Sequence, residues 1–86
     1  DVFDDTVRKM EDLQPGMILK GIVSNITNFG AFVDIGIKQS GLLHISEMAN
    51  HFIKSPNEVV KLNQQLTLKV KEIDVDRQRI ALTLKF

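Results

Sequence analysis

The sequence contains no cysteine, only two prolines and no long apolar segment. Without cysteine, the chain forms neither a disulfide framework nor a thiolate zinc site. This composition is compatible with the cytoplasm, where we expect the protein to act. No stretch approaches the ~18 consecutive apolar residues of a membrane-spanning helix, and no signal-peptide pattern is present. We therefore expect a protein with no membrane contact.

The length and composition predict one globular domain. The chain has 86 residues, of which 43% are hydrophobic and 26% are charged, which is typical of a folded domain rather than a disordered segment. The formal net charge is zero, but the charges are unevenly distributed. Residues 1–12 hold five acidic and two basic residues, and the rest holds six acidic and nine basic ones. The mildly basic body predicts phosphate binding that is modest and sensitive to salt.

Alternation of apolar and polar residues predicts five β-strands, over residues 17–26, 30–35, 41–45, 65–73 and 79–84. A single helical turn is expected within residues 46–54. The segment from Ser55 to Glu58 then has the form of a capping box and predicts a short helix to about Lys61, with Asn63 as a left-handed exit. A flat sheet of this size would expose two edges, and closure into a barrel removes them. We therefore predict an all-β fold, a five-stranded antiparallel Greek-key OB-fold barrel with a short helical insert between strands 3 and 4.

Residues 1–12 are predicted to be a linker or a flanking short helix, and residues 13–86 the barrel domain. A Pro-Gly turn at residues 15–16 follows this boundary. If the first segment is helical, Asp4 or Asp5 caps it. Its apolar face then carries Phe3, Val7 and Met10.

The stretch from Gly21 to Gly36 carries the main functional signal. Its second strand alternates Ala31, Val33 and Ile35 with Phe32 and Asp34, so Phe32 faces water if the former three residues face a core. Phe29 lies on the connection just before it. An exposed ring on the polar face of a strand is typical of stacking against nucleic-acid bases, and strands 2 and 3 form the ligand face of OB-folds.

Three segments in order resemble the S1 RNA-binding domain family, over about residues 13–85. They are Asn28-Phe29-Gly30-Ala31-Phe32-Val33-Asp34, Gly41-Leu42-Leu43-His44-Ile45-Ser46 and Arg79-Ile80-Ala81-Leu82-Thr83. Residues 50–60 are similar, more narrowly, to the C-terminal module of Tex-type transcription accessory proteins. The resemblance implies a non-catalytic module that binds single-stranded RNA, without a cofactor, within a larger transcription- or translation-associated protein.

The resemblance also implies an RNA-binding face made of Phe29, Phe32, His44, Asp74 and Arg79. The two phenylalanines would stack on bases, His44 would stack or bond to a base or phosphate, and Arg79 would meet phosphate or stack. Asp74 would orient Arg79 or close the turn before it. The flanking residues that would add polar or phosphate contacts are Asn28, Lys38 and Lys20. For Phe29 and Phe32 the alternative is packing under a loop, and for His44 it is a structural role. For Arg79 the alternative is a solvated charge or a pair with Asp74, and for Lys20 it is a solvated surface charge.

Other functions remain open at this point. An OB-fold can dock another domain of the parent chain or a transcription partner, with exposed aromatics as anchors. Oligosaccharide binding shares the fold but leaves the basic bias unexplained, and single-stranded DNA is an alternative nucleic acid. His44, Glu47 and His51 would gather a metal ion on one helix, but His44 ends a predicted strand. We therefore expect no bound metal. We also expect no catalysis and a monomeric protein.

Overall fold

A computed structural model describes residues 7–86 and contains five strands in chain order. They are β1 (Ile18–Ile26), β2 (Gly30–Asp34), β3 (Gly41–His44), β4 (Gln65–Asp74) and β5 (Arg79–Thr83). The strands close into a barrel in the spatial order β1-β2-β3-β5-β4. The β3–β5 pair is parallel, and the other pairs are antiparallel. The predicted five-stranded OB-fold barrel is confirmed. Its one parallel pair arises because the long β3–β4 connection places β4 away from β3 and leaves β5 to close the gap.

Inward-facing strand residues form the core of the barrel. The predicted inward positions that are buried include Leu19, Val23, Leu68, Val70, Ile80 and Leu82. Gly21 belongs to the same face of β1. A Cβ atom there would lie 2.5 Å from Cγ1 of Val33 and 3.0 Å from the carbonyl oxygen of Asp34. The close approach of two strands at Gly21, which its position inside a strand predicts, is therefore confirmed.

The segment before the barrel packs against this core. Val7, Met10 and Leu13 are buried, and a single 3₁₀ turn spans Met10–Asp12. The carboxylate of Asp12 accepts hydrogen bonds from the backbone N–H groups of the two residues before that turn. Phe3, Asp4 and Asp5 lie outside the described residues. The boundary at residue 13 stays a prediction, but the packed unit includes side chains on both sides of it.

The β3–β4 connection contains two 3₁₀ turns, Ile45–Glu47 and Pro56–Glu58. The predicted capping box is confirmed, because Oε2 of Glu58 accepts the backbone N–H of Ser55 at 3.0 Å. The second turn ends at Glu58 rather than near Lys61. The chain instead bends back to β1, where Asn63 adopts φ 67° and its N–H donates to the carbonyl of Val23 at 2.8 Å. This contact between distant segments replaces further helical turns.

Candidate nucleic-acid interface

The rings of Phe29 and Phe32 lie on the outside of the barrel. Phe29 is 47% exposed and Phe32 is half-buried, and neither belongs to the buried core. Their ring centroids are 6.3 Å apart with the planes at 88°, an edge-to-face contact. Aromatic pairs favour this arrangement. The two ring planes therefore face different directions, and the more exposed ring is open to a planar ligand.

Backbone hydrogen bonds hold Phe29 in place at the tight β1–β2 connection. The N–H and the hydroxyl of Thr27 both donate to the carbonyl of Gly30, at 2.8 and 3.2 Å. The N–H of Phe29 donates to the Thr27 hydroxyl at 3.3 Å, and its carbonyl accepts the N–H of Ile45 at 2.8 Å. The connection is thus anchored to the end of β3, which fixes the backbone position from which the Phe29 ring projects.

A groove with a volume of about 580 Å³ lies beside the two rings. Its lining residues are Phe29, Phe32, Ser40, Leu42, Glu72, Asp74, Gln78, Arg79, Ile80 and Ala81. The strand register explains why they meet. Phe32 pairs with Leu42, Leu42 pairs with Ala81, and Ala81 pairs with Glu72. This row of neighbouring residues crosses four strands and forms the floor of the groove.

Arg79 and Asp74 face each other across the β4–β5 hairpin, but Asp74 is engaged elsewhere. Its Oδ1 accepts the backbone N–H of Arg77 at 3.2 Å, and its Oδ2 lies 3.9 Å from Nε of Arg77. Asp74 therefore closes the turn, one of the two roles expected for it. Across residues 7–86, Arg79 forms no ion pair. Among the residues that the structure describes, it is the one cationic side chain that lines the groove.

The remaining predicted site residues lie outside the groove lining. His44 is exposed at the end of β3, paired with Gly30 of β2, and its Nδ1 accepts the backbone N–H of Ser46 at 3.1 Å. Asn28 is exposed in the β1–β2 connection and Lys38 in the β2–β3 loop. Lys20 is exposed on β1, opposite a residue of β4. The groove thus gathers four of the eight predicted residues: Phe29, Phe32, Asp74 and Arg79.

Several groove residues were not predicted. Leu42 and Ala81 alternate with buried neighbours, so their period-2 pattern was the available signal. Glu72 had no such signal, because a register shift between Val70 and Glu72 changes which residues face outward. Gln78 enters the groove at the β4–β5 turn, and its Oε1 accepts a 3.4 Å hydrogen bond from Nε2 of Gln39 in the β2–β3 loop.

Glu47 ties the turn after β3 to the last two strands. Its side chain is 17% exposed and accepts a 2.6 Å hydrogen bond from Nζ of Lys71 on β4. The hydrogen bonds from Lys71 and from the hydroxyl of Thr83 lower the pKa of Glu47 below its usual 4.5, although burial opposes the shift. Thr83, two residues after the groove-lining Ala81, is buried because this turn covers it. Lys71 is therefore a structural partner and not only a solubilising charge.

The lowered pKa of Glu47 predicts a pH-dependent contribution to stability. The folded state favours the charged form of Glu47 more than the unfolded state does. The resulting stabilisation is complete above about pH 4.5 and is lost as the pH falls below that value. Because Lys71 is partly exposed, we expect at most ~1 kcal/mol. Urea unfolding of the wild type and Glu47→Gln should show a stability difference at pH 7 that shrinks by pH 3. A difference that does not change with pH would contradict this role.

The described part of the chain contains neither a cluster of metal ligands nor a membrane-spanning helix. Over residues 7–86, no three His, Asp or Glu side chains converge where a metal ion would bind. Among the same residues, no helix has the length and apolar character needed to cross a membrane.

Comparison with known proteins identifies relatives. The chain is 57% identical over 83 residues to protein YhgF of Escherichia coli, covering 96% of this chain and 11% of that protein. It is 53% identical over 83 residues to the transcriptional accessory protein Tex of Neisseria gonorrhoeae, with 96% and 11% covered. The chain therefore spans about a tenth of the length of these relatives.

The fold also matches a solved structure, the a/eIF2alpha-aDim2p-rRNA complex from Pyrococcus horikoshii. The TM-score is 0.78 at 27% identity, covering 84% of this chain and 44% of the matched one. The sequence profile described as the S1 RNA binding domain matches residues 12–85. With nearly its whole length matched by that profile, the chain belongs to the S1 RNA-binding domain family.

Proposed function

We propose that this domain binds single-stranded RNA, without catalysis or a cofactor, by stacking bases on Phe29 and Phe32. One observation carries the proposal: two outward-facing rings, 6.3 Å apart and edge-to-face, stand beside a groove that crosses four strands. Each base stacked on an aromatic side chain contributes ~1–3 kcal/mol, with little dependence on base identity. The domain would therefore bind RNA with weak sequence preference.

The charges of the groove indicate which part of the RNA enters it. Glu72 and Asp74 supply two carboxylates there, against the single cation of Arg79. Carboxylates repel phosphates but accept hydrogen bonds from the N–H donors of bases, including N3–H of uracil. We infer that bases point into the groove and that most phosphates lie outside it.

The relatives support the proposal that this domain is part of a longer protein. Transcriptional accessory protein Tex is about nine times longer than the segment it shares with this chain, and the P. horikoshii neighbour was solved in a complex with rRNA. We propose that the domain acts as a monomeric module of a transcription-associated protein in the cytoplasm.

Amide chemical-shift mapping tests ligand class and surface together. Titration with a single-stranded oligouridylate should shift the amides around Phe29, Phe32, Leu42 and Ala81, and leave those around Lys20 unchanged. Single-stranded DNA of the same length, duplex RNA and a neutral oligosaccharide serve as comparison ligands. Shifts caused by the oligosaccharide but not by RNA would refute the proposal.

A protein-interaction function is the second candidate. The two carboxylates of the groove would suit a basic protein segment, with Phe29 and Phe32 as anchors. In that case a purified domain of the parent protein should shift the groove amides, and RNA should not.

A further inference from the structure

A second cavity, of about 500 Å³, lies at the β3–β4 connection and the chain end after β5. The residues around it include Ser46, His51, Phe52, Lys54 and Lys85. The side chain of Phe52 is 85% exposed, the largest exposed fraction among the bulky apolar residues of the described chain. A ring so poorly packed contributes little to the barrel core.

This cavity and the groove carry opposite charge. Lys54 and Lys85 line the cavity, and none of the Asp or Glu residues within 7–86 lines it. Neither lysine forms an ion pair within residues 7–86, although Lys85 lies close enough to Glu47 to help lower the pKa of that carboxyl. The nearest carboxylates in the sequence are occupied: Glu47 binds Lys71, and Glu58 accepts the backbone N–H groups of Lys54 and Ser55. The cavity is therefore the more favourable place for phosphates.

The end of β3 joins the two cavities. The N–H of Ile45 donates to the carbonyl of Phe29 at 2.8 Å, and Ile45 also lines the second cavity. Ser46, another lining residue, donates its N–H to His44 at 3.1 Å. A single strand that leaves Phe29 along this edge passes His44 and meets the second cavity at Ile45 and Ser46. OB-folds typically occupy about 4–16 nucleotides of single strand, more than the two rings of the groove accommodate.

We propose that the second cavity is a further nucleotide subsite for the same RNA strand. Phe52 stacks a base there, and Lys54 and Lys85 contact the phosphates on either side. This inference rests on the function proposed for the groove. It assigns base contacts to both sites and most phosphate contacts to the basic cavity beside the acidic groove.

Oligouridylates of two lengths, about 4 and about 12 nucleotides, separate the two sites because they span the range of OB-fold site sizes. Binding to the 86-residue chain is measured by fluorescence anisotropy. Phe52→Ala should weaken binding of the longer strand by about 5- to 150-fold, the cost of one lost stack, and leave the shorter one unchanged. Leu62→Ala is the control, since Leu62 is 56% exposed and lies outside both cavities.

The two lysines should contribute to the salt dependence of RNA binding. Each phosphate contact with a single strand adds about 0.7 to the slope of log K against log salt. The double variant Lys54→Gln, Lys85→Gln should therefore reduce the slope for the longer strand by about 1.4. Its slope for the shorter strand should match the wild type.

The outcomes distinguish this inference from the function on which it rests. If Phe29→Ala weakens binding of both strands and Phe52→Ala weakens neither, the subsite is refuted and the groove stands. If neither variant affects RNA binding, both are refuted. If Phe52→Ala only weakens binding of a purified domain of the parent protein, the cavity is a protein contact and the subsite is refuted. Each variant is first shown to unfold at the wild-type urea midpoint.

Discussion

Replacing Phe29 and Phe32 together by alanine is expected to weaken binding of a single-stranded oligouridylate by about 30-fold or more. Each ring would lose one base stack of ~1–3 kcal/mol, and 1.4 kcal/mol corresponds to a factor of ten in affinity. The two single variants should not sum to the double variant, because the rings contact each other edge-to-face at 6.3 Å. Anisotropy titrations at one fixed salt concentration measure the effect.

The matched control for this double variant is Phe86→Ala. Phe86 is 66% exposed and packs against Nζ of Lys69 at 5.7 Å, outside both cavities. The Phe86→Ala variant loses a phenylalanine ring that lies outside the groove, so its RNA affinity should equal that of the wild type. Because neither Phe29 nor Phe32 is part of the buried core, the double variant should remain folded. A folded double variant with undiminished affinity would remove the stacking mechanism.

Gly30→Ala is expected to destabilise the barrel by ~1–3 kcal/mol or more, the usual cost of overpacking. A Cβ atom at Gly30 would overlap the carbonyl oxygen of Leu43 and lie 3.0 Å from Cα of His44. Both are backbone atoms of β3, so no rotamer change relieves the overlap and the β2–β3 pairing must open. Because Gly30 sits between Phe29 and His44 at the end of the groove, RNA binding should weaken as well.

Gly41→Ala provides the comparison, since it makes the same change on the neighbouring strand. Its Cβ atom would meet the side chain of Leu82, including Cγ at 2.9 Å. A side chain can change rotamer, at the cost of some core packing, whereas a strand backbone cannot. Urea unfolding should therefore show a smaller loss for Gly41→Ala than for Gly30→Ala. The reverse order would mean that the β2–β3 pair is more deformable than its geometry indicates.

Much of the architecture is determined by local sequence pattern. The alternation of inward residues such as Leu68, Val70 and Leu82 predicts which faces are buried, because each strand positions every second side chain on one side. The capping box at Ser55 is equally local, since its partners lie within three residues. The outward position of Phe32 follows from the same alternation, and that of Phe29 from the family motif.

Other features depend on contacts that no local pattern encodes. The parallel β3–β5 pair brings Leu42 beside Ala81, and these residues are 39 positions apart in the chain. Local alternation assigns a face to each of them but does not say which strand will be its neighbour. The register shift before Glu72 likewise adds a carboxylate to the groove.

The sequence by itself therefore determined the family, the barrel and the outward position of the two rings. The tertiary structure alone decided which charges accompany those rings. Within residues 7–86, Asp74 pairs with Arg77 in the turn and leaves Arg79 without an ion pair, whereas Lys71 binds Glu47. It also placed Phe52 beside Lys54 and Lys85. The physical reason is that a side chain's face depends on its own strand, whereas its electrostatic partners depend on how distant strands close around the barrel.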